Sequence, residues 1–334
     1  MADFPPSLPC PLGGQEMRLR YWFPRVWTQR EEDDARPFAL YWSDQAGFGR
    51  LHPAPTEAEL LRFYETPAYE AFLGAPAKAC GKVSAKDRAT RLFEKVRTHL
   101  AWRADWGIPI EGRDLHLRLG GKRLRVCDVG CGAGSLLLAL KQLGHEVLGL
   151  EPNPLAIETC KKHGLSVLQG TAEDLPAECP RGHFDLAMMV QALEHCRDPI
   201  LALRNATALL KPGGIMLVEV PNHACVGFDL AGAAWFHTDA GRHISFFTPH
   251  SLQAVMRIAG LEPVALEFTG YCRQFSWVEA QQEVWDALYG DGRRGPVPPP
   301  PRPTPLRQWL LLARTALASA ERKYDSFRVY ARKR

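Results

Sequence analysis

The sequence lacks long apolar runs, paired cysteines and a block of like charge. None of its apolar stretches approaches the roughly 20 residues that span a bilayer, and none of its nine cysteines has a partner at Cys-x-x-Cys spacing. The N-terminus has no basic stretch followed by an apolar one, so no signal peptide is predicted. We therefore expect reduced thiols in a cytoplasmic protein, without a transmembrane segment, a disulfide framework or a zinc site.

The charge of the chain is mildly basic, with a formal net value of +4 at pH 7. Its Lys and Arg residues form no long stripe, and the short basic end at 332–334 is typical of a solvated terminus. The sequence thus gives no clear sign of nucleic-acid binding. Apolar residues make up 46% of the chain, which suffices for a sizeable core.

Most of the chain alternates between short apolar runs and amphipathic stretches. This alternation predicts an α/β fold, in which a parallel sheet is covered by helices on both faces. Strands are predicted at 124–129, 146–150, 166–169, 184–190, 214–220 and 261–268. Helices are predicted at 85–106, 135–143, 154–163, 199–210 and 249–259.

The N-terminal segment, 1–84, is rich in proline and aromatic residues and has little periodicity. Thr56, with Glu59 three residues later, predicts a capping box at the start of a short helix that runs through Tyr64. We expect this segment to be a lid or an accessory unit of the main domain.

The C-terminal part interrupts the core domain, which is assigned to residues 85–276. Residues 277–325 are predicted to be an insertion. It contains a connector at 296–305 with seven prolines, followed by an amphipathic helix over 306–322. The final segment, 326–334, is predicted to return to the sheet as its last strand.

A glycine-rich turn follows the first strand of the core, where Gly130, Gly132 and Gly134 form a G-x-G-x-G pattern. Glycines allow a tight turn and a close approach of the backbone to a nucleotide. Dinucleotide sites instead have G-x-G-x-x-G, which would require glycine at Ser135. Asp128 is unfavourable for a pyrophosphate and favourable for a ligand that carries sulfonium and ammonium groups.

Polar residues follow the next strands as well. Glu151 ends the second strand, close to the position of an acid that binds ribose hydroxyls. The turn at 171–173 follows the third strand and is suited to an adenine edge, and Gln191 follows the fourth.

Taken in this order, the motifs resemble those of class I S-adenosylmethionine-dependent methyltransferases, over residues 122–268 and again at the last strand. The resemblance implies a Rossmann-like seven-stranded sheet, with an antiparallel seventh strand between the fifth and the sixth. It implies S-adenosyl-L-methionine as cofactor, with its methionine part near the glycines, its ribose at Glu151 and its adenine near Thr171, where many relatives have Asp. The predicted cofactor-binding residues are Asp128, Gly130, Cys131, Gly132, Gly134, Glu151, Pro152, Thr171, Ala172, Glu173 and Gln191.

The pair Glu194-His195 resembles the ubiquinone-pathway O-methyltransferases in particular. In those relatives a second acid, three residues before the Glu, is implicated with a metal. Gln191 stands at that position here, so we predict that this chain uses no metal.

The N-terminal segment shows a weaker resemblance to the zinc ribbon of several bacterial methyltransferases. Cys10 stands at one ligand position, but the other three are Gly13, Ser43 and Ala46. Zinc needs about four ligands, so no zinc is predicted. A proline-rich lid without such ancestry is the alternative interpretation.

Three histidines are candidate catalytic residues, because methyl transfer to oxygen or nitrogen often needs a base and histidine suits neutral pH. His243, in a stretch that matches many relatives, is the first choice for a base or a substrate contact, and His237 is the second. His195 follows the fourth strand at the carboxyl edge of the sheet, where ligands bind. For His195 a structural role is favoured over a catalytic one.

The sequence favours methyl transfer from S-adenosylmethionine to a small-molecule acceptor, most readily to oxygen. Two alternatives stay open: methylation of a macromolecule such as tRNA, rRNA or protein, and a non-catalytic cofactor-binding partner protein. The modest charge disfavours an RNA substrate. The helix over 306–322 is open to core packing, homodimerisation, partner contact or a membrane surface.

Overall fold

The computed structural model describes residues 4–26, 36–56, 58–60, 85–276 and 278–334. The strands are β1 (Ser7–Pro9), β2 (Glu16–Phe23), β3 (Phe38–Ser43), β4 (Phe48–His52), β5 (Arg125–Val129), β6 (Glu146–Glu151), β7 (Val167–Gln169), β8 (Phe184–Val190), β9 (Leu210–Pro221), β10 (Ser245–Phe247), β11 (Leu261–Thr269) and β12 (Ser326–Lys333). The helices are α1 (Ala85–Arg103), α2 (Gly112–Arg118), α3 (Ser135–Gln142), α4 (Pro154–Lys162), α5 (Pro199–Leu209), α6 (Val226–Ala231), α7 (Pro249–Ile258), α8 (Val278–Tyr289), α9 (Pro305–Thr315) and α10 (Ala320–Lys323). Short 3₁₀ turns lie at 193–195, 232–234, 236–238 and 272–276.

The larger sheet has seven strands in the order β11-β12-β9-β8-β5-β6-β7. Its strands are parallel except for β12, which runs antiparallel between β9 and β11. The central strands are buried almost throughout, as their continuous apolar sequences require. The predicted α/β fold is therefore confirmed, including the position of the last strand.

The smaller sheet has the order β1-β2-β3-β4-β10 and joins the N-terminal segment to the core. Strand β10 pairs antiparallel with β4, so that Phe247 lies opposite Phe48, and their ring centroids are 5.4 Å apart. Phe247 also forms a bridge with Asn222, just after β9. Strands β1 to β4 thus share a sheet with a strand that lies about 200 residues after β4 in the chain.

The positions that correspond to zinc ligands lie in two turns of this smaller sheet. Cys10 begins the turn after β1, and Ser43 begins the turn after β3. Ser43 Oγ accepts the backbone N–H of Ala46 at 3.3 Å, and Cys10 and Ala46 belong to the same apolar cluster. These turns are closed by protein contacts, and the lack of zinc stays a prediction.

The capping box is confirmed, because the Thr56 N–H donates to Glu59 Oε2 at 2.7 Å and the Glu59 N–H donates to Thr56 Oγ1 at 3.2 Å. The predicted continuation of that helix from residue 61 to Tyr64 lies outside the described residues, as do Phe63 and Tyr69.

The C-terminal insertion differs from its prediction. The single helix over 306–322 is wrong: α9 ends at Thr315 and α10 begins after Ser319, whose extended backbone (ψ 156°) interrupts the helix. Helix α8 lies where no regular element was expected. None of the described helices is long and apolar enough to cross a membrane.

Candidate cofactor and active site

The glycine-rich loop after β5 has a backbone that only glycine adopts readily. Gly130, Gly132 and Gly134 have φ values of 81°, 53° and 77°. A Cβ atom on Gly130 would lie 2.7 Å from the Cβ of Ala192, whereas one on Gly132 would meet nothing within 4 Å. The loop is therefore packed tightly on one side and leaves open space at Gly132.

Glu151, at the end of β6, holds this loop in place. Its two carboxylate oxygens accept the backbone N–H groups of Gly132 and Asn153, both at 2.9 Å. Burial raises the pKa of Glu151, although both amides favour its charged form. The acid expected at the ribose thus also shapes the glycine-rich turn.

Asp128 lies near the end of β5 and is only 4% exposed. Its Oδ1 atom has no hydrogen-bond partner. Burial, together with the nearby negative charge of Glu151, raises the pKa of Asp128 to about 7. A buried carboxyl in this state is poised to receive a cation.

A cavity of about 390 Å³ opens at the carboxyl edge of the larger sheet. It is in the size range of cofactor sites, roughly 300–1,000 Å³. The cavity brings together these residues predicted from the sequence: Gly130, Gly132, Glu151, Pro152, Thr171, Ala172, Glu173, Gln191 and His195. The predicted residues outside its lining are Asp128, Cys131, Gly134, His237 and His243.

The turn at 171–173 is held by its own side chains. Thr171 Oγ1 accepts the Asp174 N–H at 2.9 Å. Glu173 accepts the backbone N–H groups of Asp198 at 2.8 Å and Arg197 at 3.2 Å, and so it orders the start of α5. Glu173 therefore positions this wall of the cavity in addition to lining it.

Gln191 follows β8 and has a positive φ of 54°, an uncommon backbone for a residue with a side chain. Its N–H donates to the Glu219 carbonyl oxygen at 2.8 Å, and its Nε2 donates to Glu219 Oε1 at 3.4 Å. Glu219 in turn pairs with the buried Arg328 at 2.8 Å. This network of β8, β9 and β12 holds Gln191 against the cavity.

Two of the candidate histidines form one pair. The rings of His195 and His243 have centroids 4.7 Å apart at an angle of 73°. His195 Nδ1 lies 3.0 Å from the Arg242 carbonyl oxygen, and His243 Nδ1 lies 2.8 Å from that of His237. Because a carbonyl only accepts, each Nδ1 carries the hydrogen and leaves a lone pair at Nε2. The backbone carbonyl of Gln191 also faces the His195 ring.

Burial lowers the pKa of both rings, and for His243 the neighbouring His195 adds to the effect. Both are therefore neutral at pH 7. His195 lines the cavity, whereas His243 is 6% exposed and does not. His237 instead faces Asp325, with Nε2 and Oδ2 3.6 Å apart.

Glu194 is completely buried beside this pair. The ligand atoms of Glu194, His195 and His243 all lie within 4.8 Å of one another, an arrangement that could hold a metal ion. Both carboxyl oxygens of Glu194 lack a hydrogen-bond partner, and burial raises its pKa to about 8. Without a cation nearby, the group is thus mainly the neutral acid at pH 7, and a metal ion would have to displace its proton in order to bind.

Sequence reasoning missed several residues that line the cavity. Leu60 comes from the N-terminal segment, and Met189, Ala192 and Cys196 surround the end of β8. The sequence could have indicated Ala192, because it directly follows Gln191, and the structure places it against the glycine loop. The sequence gives no indication of Leu60, since only tertiary packing brings it to the site.

Comparison with known proteins assigns this architecture to a family. Residues 96–266, just over half of the chain, match the model of a methyltransferase domain. The chain belongs to the methyltransferase domain family. The cofactor of this methyltransferase domain is S-adenosylmethionine, and the residues fit it. Asp128 supplies a buried acid with an unpartnered oxygen, and Gly132 leaves open space beside the Glu151 carboxylate.

The methyltransferase domain is similar to two curated proteins named ubiquinone biosynthesis O-methyltransferase. The one from Cereibacter sphaeroides is 37% identical over 164 residues, which cover 46% of this chain and 66% of the relative. The one from Azorhizobium caulinodans is 35% identical over 153 residues, covering 42% and 60%. The chain thus spans slightly less than two thirds of the length of these relatives.

A solved S-adenosylmethionine-dependent methyltransferase from Archaeoglobus fulgidus is 20% identical, with a TM-score of 0.46. The alignment covers 73% of this chain and 99% of that one.

Proposed function

We propose that the protein transfers a methyl group from S-adenosylmethionine to a hydroxyl oxygen of a small-molecule acceptor, and that it works in the cytoplasm. The observation that carries this proposal is the position of His195. Its ring lines the cofactor cavity next to Gln191, at the end of β8, and the Arg242 carbonyl fixes its orientation. A neutral histidine there can accept the proton that the acceptor hydroxyl loses.

The residues of the site have distinct roles in this proposal. The cofactor supplies an activated methyl group, so the protein mainly has to place the acceptor in line with it. Glu151 and the glycine loop hold the cofactor, and the strained Gln191 closes the wall beside His195. His195 takes the proton of the hydroxyl at Nε2, and His243 lies behind it as a positioning residue.

Within the proposal His195 replaces His243 as the preferred base. A base must come within hydrogen-bond reach of the proton it removes. His195 lines the cavity, and His243 and His237 do not.

Cofactor binding is the first test. Titration calorimetry with S-adenosylmethionine and with S-adenosylhomocysteine should show one site per chain. Absence of binding to either compound would contradict the whole proposal. Binding without turnover of any hydroxylated acceptor in a broad panel would favour a non-catalytic partner protein.

The assignment of the base predicts a split between turnover and binding. Asn at position 195 can keep the donor to the Arg242 carbonyl but cannot act as a base, so His195→Asn should lower kcat by about 10²–10⁴-fold. The cofactor Kd should stay within about twofold. The control His250→Asn, an exposed histidine in α7, should change neither value. Unchanged turnover in His195→Asn would contradict the assignment.

We also propose that the reaction needs no metal. Gln191 offers an amide rather than a carboxylate, and an ion would have to displace the proton of the buried Glu194. Dialysis against EDTA should therefore leave turnover unchanged. Lost activity that Mg²⁺ or Zn²⁺ restores would show instead that Glu194, His195 and His243 hold a catalytic ion.

A further inference from the structure

Helix α1 has its apolar side chains on the outside. Its inward side holds Arg97, which is 3% exposed and donates to the Phe275 carbonyl oxygen at 3.0 Å. The apolar residues of α1 that are 44–64% exposed are Leu92, Phe93, Val96 and Leu100. A helix that serves only its own core has the opposite arrangement, with the apolar stripe buried.

Helix α9 repeats this arrangement. Leu306 and Leu310 are 78% and 44% exposed, and Leu317, just beyond the helix, is fully exposed. Gln308 and Thr315 are buried together with the apolar Leu311 and Leu312. Leu306 and Leu310 lie one turn apart on the same side of the helix, and Leu317 follows just beyond its end.

The two helices are neighbours. Ala101 of α1 and Leu311 of α9 belong to the same apolar cluster, so the helices pack together through their inner sides. Trp102, in the last turn of α1, and Trp106, just beyond its end, are 68% and 82% exposed and lie beside the apolar row. We call the exposed apolar residues of α1 and α9, with Trp102, Trp106 and Leu317, the outer apolar surface.

The charge around this surface is positive. Among the described side chains of the two helices, Lys95, Arg103 and Arg314 are exposed next to the apolar rows, whereas Arg97 is buried. The acidic Glu94 is half-buried, and α9 has no acidic residue. A second copy of the chain would bring like charges together, whereas an anionic partner would be attracted.

We propose that the outer apolar surface binds the surface of an anionic lipid membrane. Apolar rows flanked by Lys and Arg, with tryptophans at the edge, are the features of helices that lie in a membrane interface. Juxtaposed cations add attraction to anionic headgroups. The surface lies outside the cofactor cavity, so the proposal does not depend on the catalytic assignment.

Cosedimentation of the full chain with vesicles tests the proposal. The protein should bind vesicles of equal parts phosphatidylglycerol and phosphatidylcholine, and it should bind pure phosphatidylcholine far more weakly. The double variant Leu306→Glu/Leu317→Glu should lower binding to the anionic vesicles by roughly tenfold or more, because it removes apolar contact and adds negative charge.

The matched control is Leu143→Glu/Ile258→Glu, which adds the same charge at leucine and isoleucine positions that are 39% and 41% exposed elsewhere. It should bind like the wild type, and both double variants should keep the cofactor affinity. Equal losses in the two double variants, or no binding of the wild type to anionic vesicles, would overturn the proposal. A third result would also overturn it. If the wild type is a dimer in sedimentation velocity, and only Leu306→Glu/Leu317→Glu dissociates that dimer, then the surface joins two copies of the chain.

Discussion

At the scale of single residues, we expect Asp128 to connect protonation to cofactor binding. Its burial and its closeness to Glu151 raise its pKa to about 7 while the cavity holds no cation. The ammonium and sulfonium groups of the cofactor favour the carboxylate and so lower that pKa. Below pH 7 the protein must therefore release a proton in order to bind.

The affinity for S-adenosylmethionine should consequently fall as the pH drops below 7, with a limiting slope of about tenfold per pH unit. Asp128→Asn should bind more weakly at pH 7 and lose most of this dependence. Calorimetry at about pH 6 and about pH 8 measures both effects. Asp44→Asn, an exposed position in a turn, should behave like the wild type, and equal wild-type affinities at the two pH values would contradict the role of Asp128.

Single residues also show where sequence reasoning ends. The glycine spacing and Glu151 predict the cofactor loop because the backbone constraint and the charge are local properties. Which of the candidate histidines lines the cavity does not depend on local sequence. His195 and His243 are 48 positions apart, and only the packing of the 236–243 segment on the end of β8 decides which ring lines the cavity.

At the scale of elements, the end of β8 stores backbone strain. Gln191 keeps a φ of 54° because its N–H and side-chain amide both bond to Glu219. A left-handed backbone costs a residue with a Cβ about 1–2 kcal/mol. Strain of this kind persists where several surrounding contacts hold the backbone in place, and it is common at functional sites.

Two variants distinguish the effect of backbone strain at Gln191 from the effect of its side chain. Gln191→Gly and Gln191→Ala both remove the amide, but only glycine relieves the backbone. The Gly variant should therefore have a free energy of unfolding about 1 kcal/mol higher than the Ala variant, as measured by urea titration. Both should lower turnover, since neither rebuilds the wall beside His195. Equal stabilities would mean that Gln191 carries no backbone strain.

The sequence predicts some helices and strands accurately and others not. Strands β5, β6 and β8 are short apolar runs bounded by charge or glycine, and their bounds agree with the sequence within one residue. The insertion was harder, because apolar residues keep helical spacing through 306–322 while the backbone breaks at Ser319, the N-cap residue of the last short helix. The N-terminal sheet had no local signal, since its closing strand is the three-residue β10.

At the scale of the whole molecule, the two sheets share one apolar cluster. Phe48 of β4 and Phe247 of β10 are fully buried in the same cluster as Val218 and Val220 of β9. Tyr289 of α8 adds a hydrogen bond of 2.6 Å to the Trp22 carbonyl oxygen in β2. These contacts favour cooperative unfolding of the N-terminal sheet with the methyltransferase domain.

Phe48→Ala should lower the free energy of unfolding by roughly 3–5 kcal/mol, because it leaves a cavity between the sheets. Urea titrations followed by far-ultraviolet circular dichroism and by tryptophan fluorescence should give one coincident transition. Leu143→Ala, at a partly exposed site, should cost far less. An early fluorescence transition that leaves cofactor binding intact would show that the N-terminal sheet unfolds independently.

The pairing of β4 with β10 also bears on how the protein is made. Residue 48 leaves the ribosome roughly 200 residues before its partner at 247, which corresponds to about 10–40 s at common rates of synthesis. During that interval the edge of β4 is an unpaired strand rich in apolar residues, the kind of edge that recruits other chains. Nascent chains of this protein should therefore depend on chaperones at that stage, and slower translation through residues 100–245 should increase aggregation of the newly made protein.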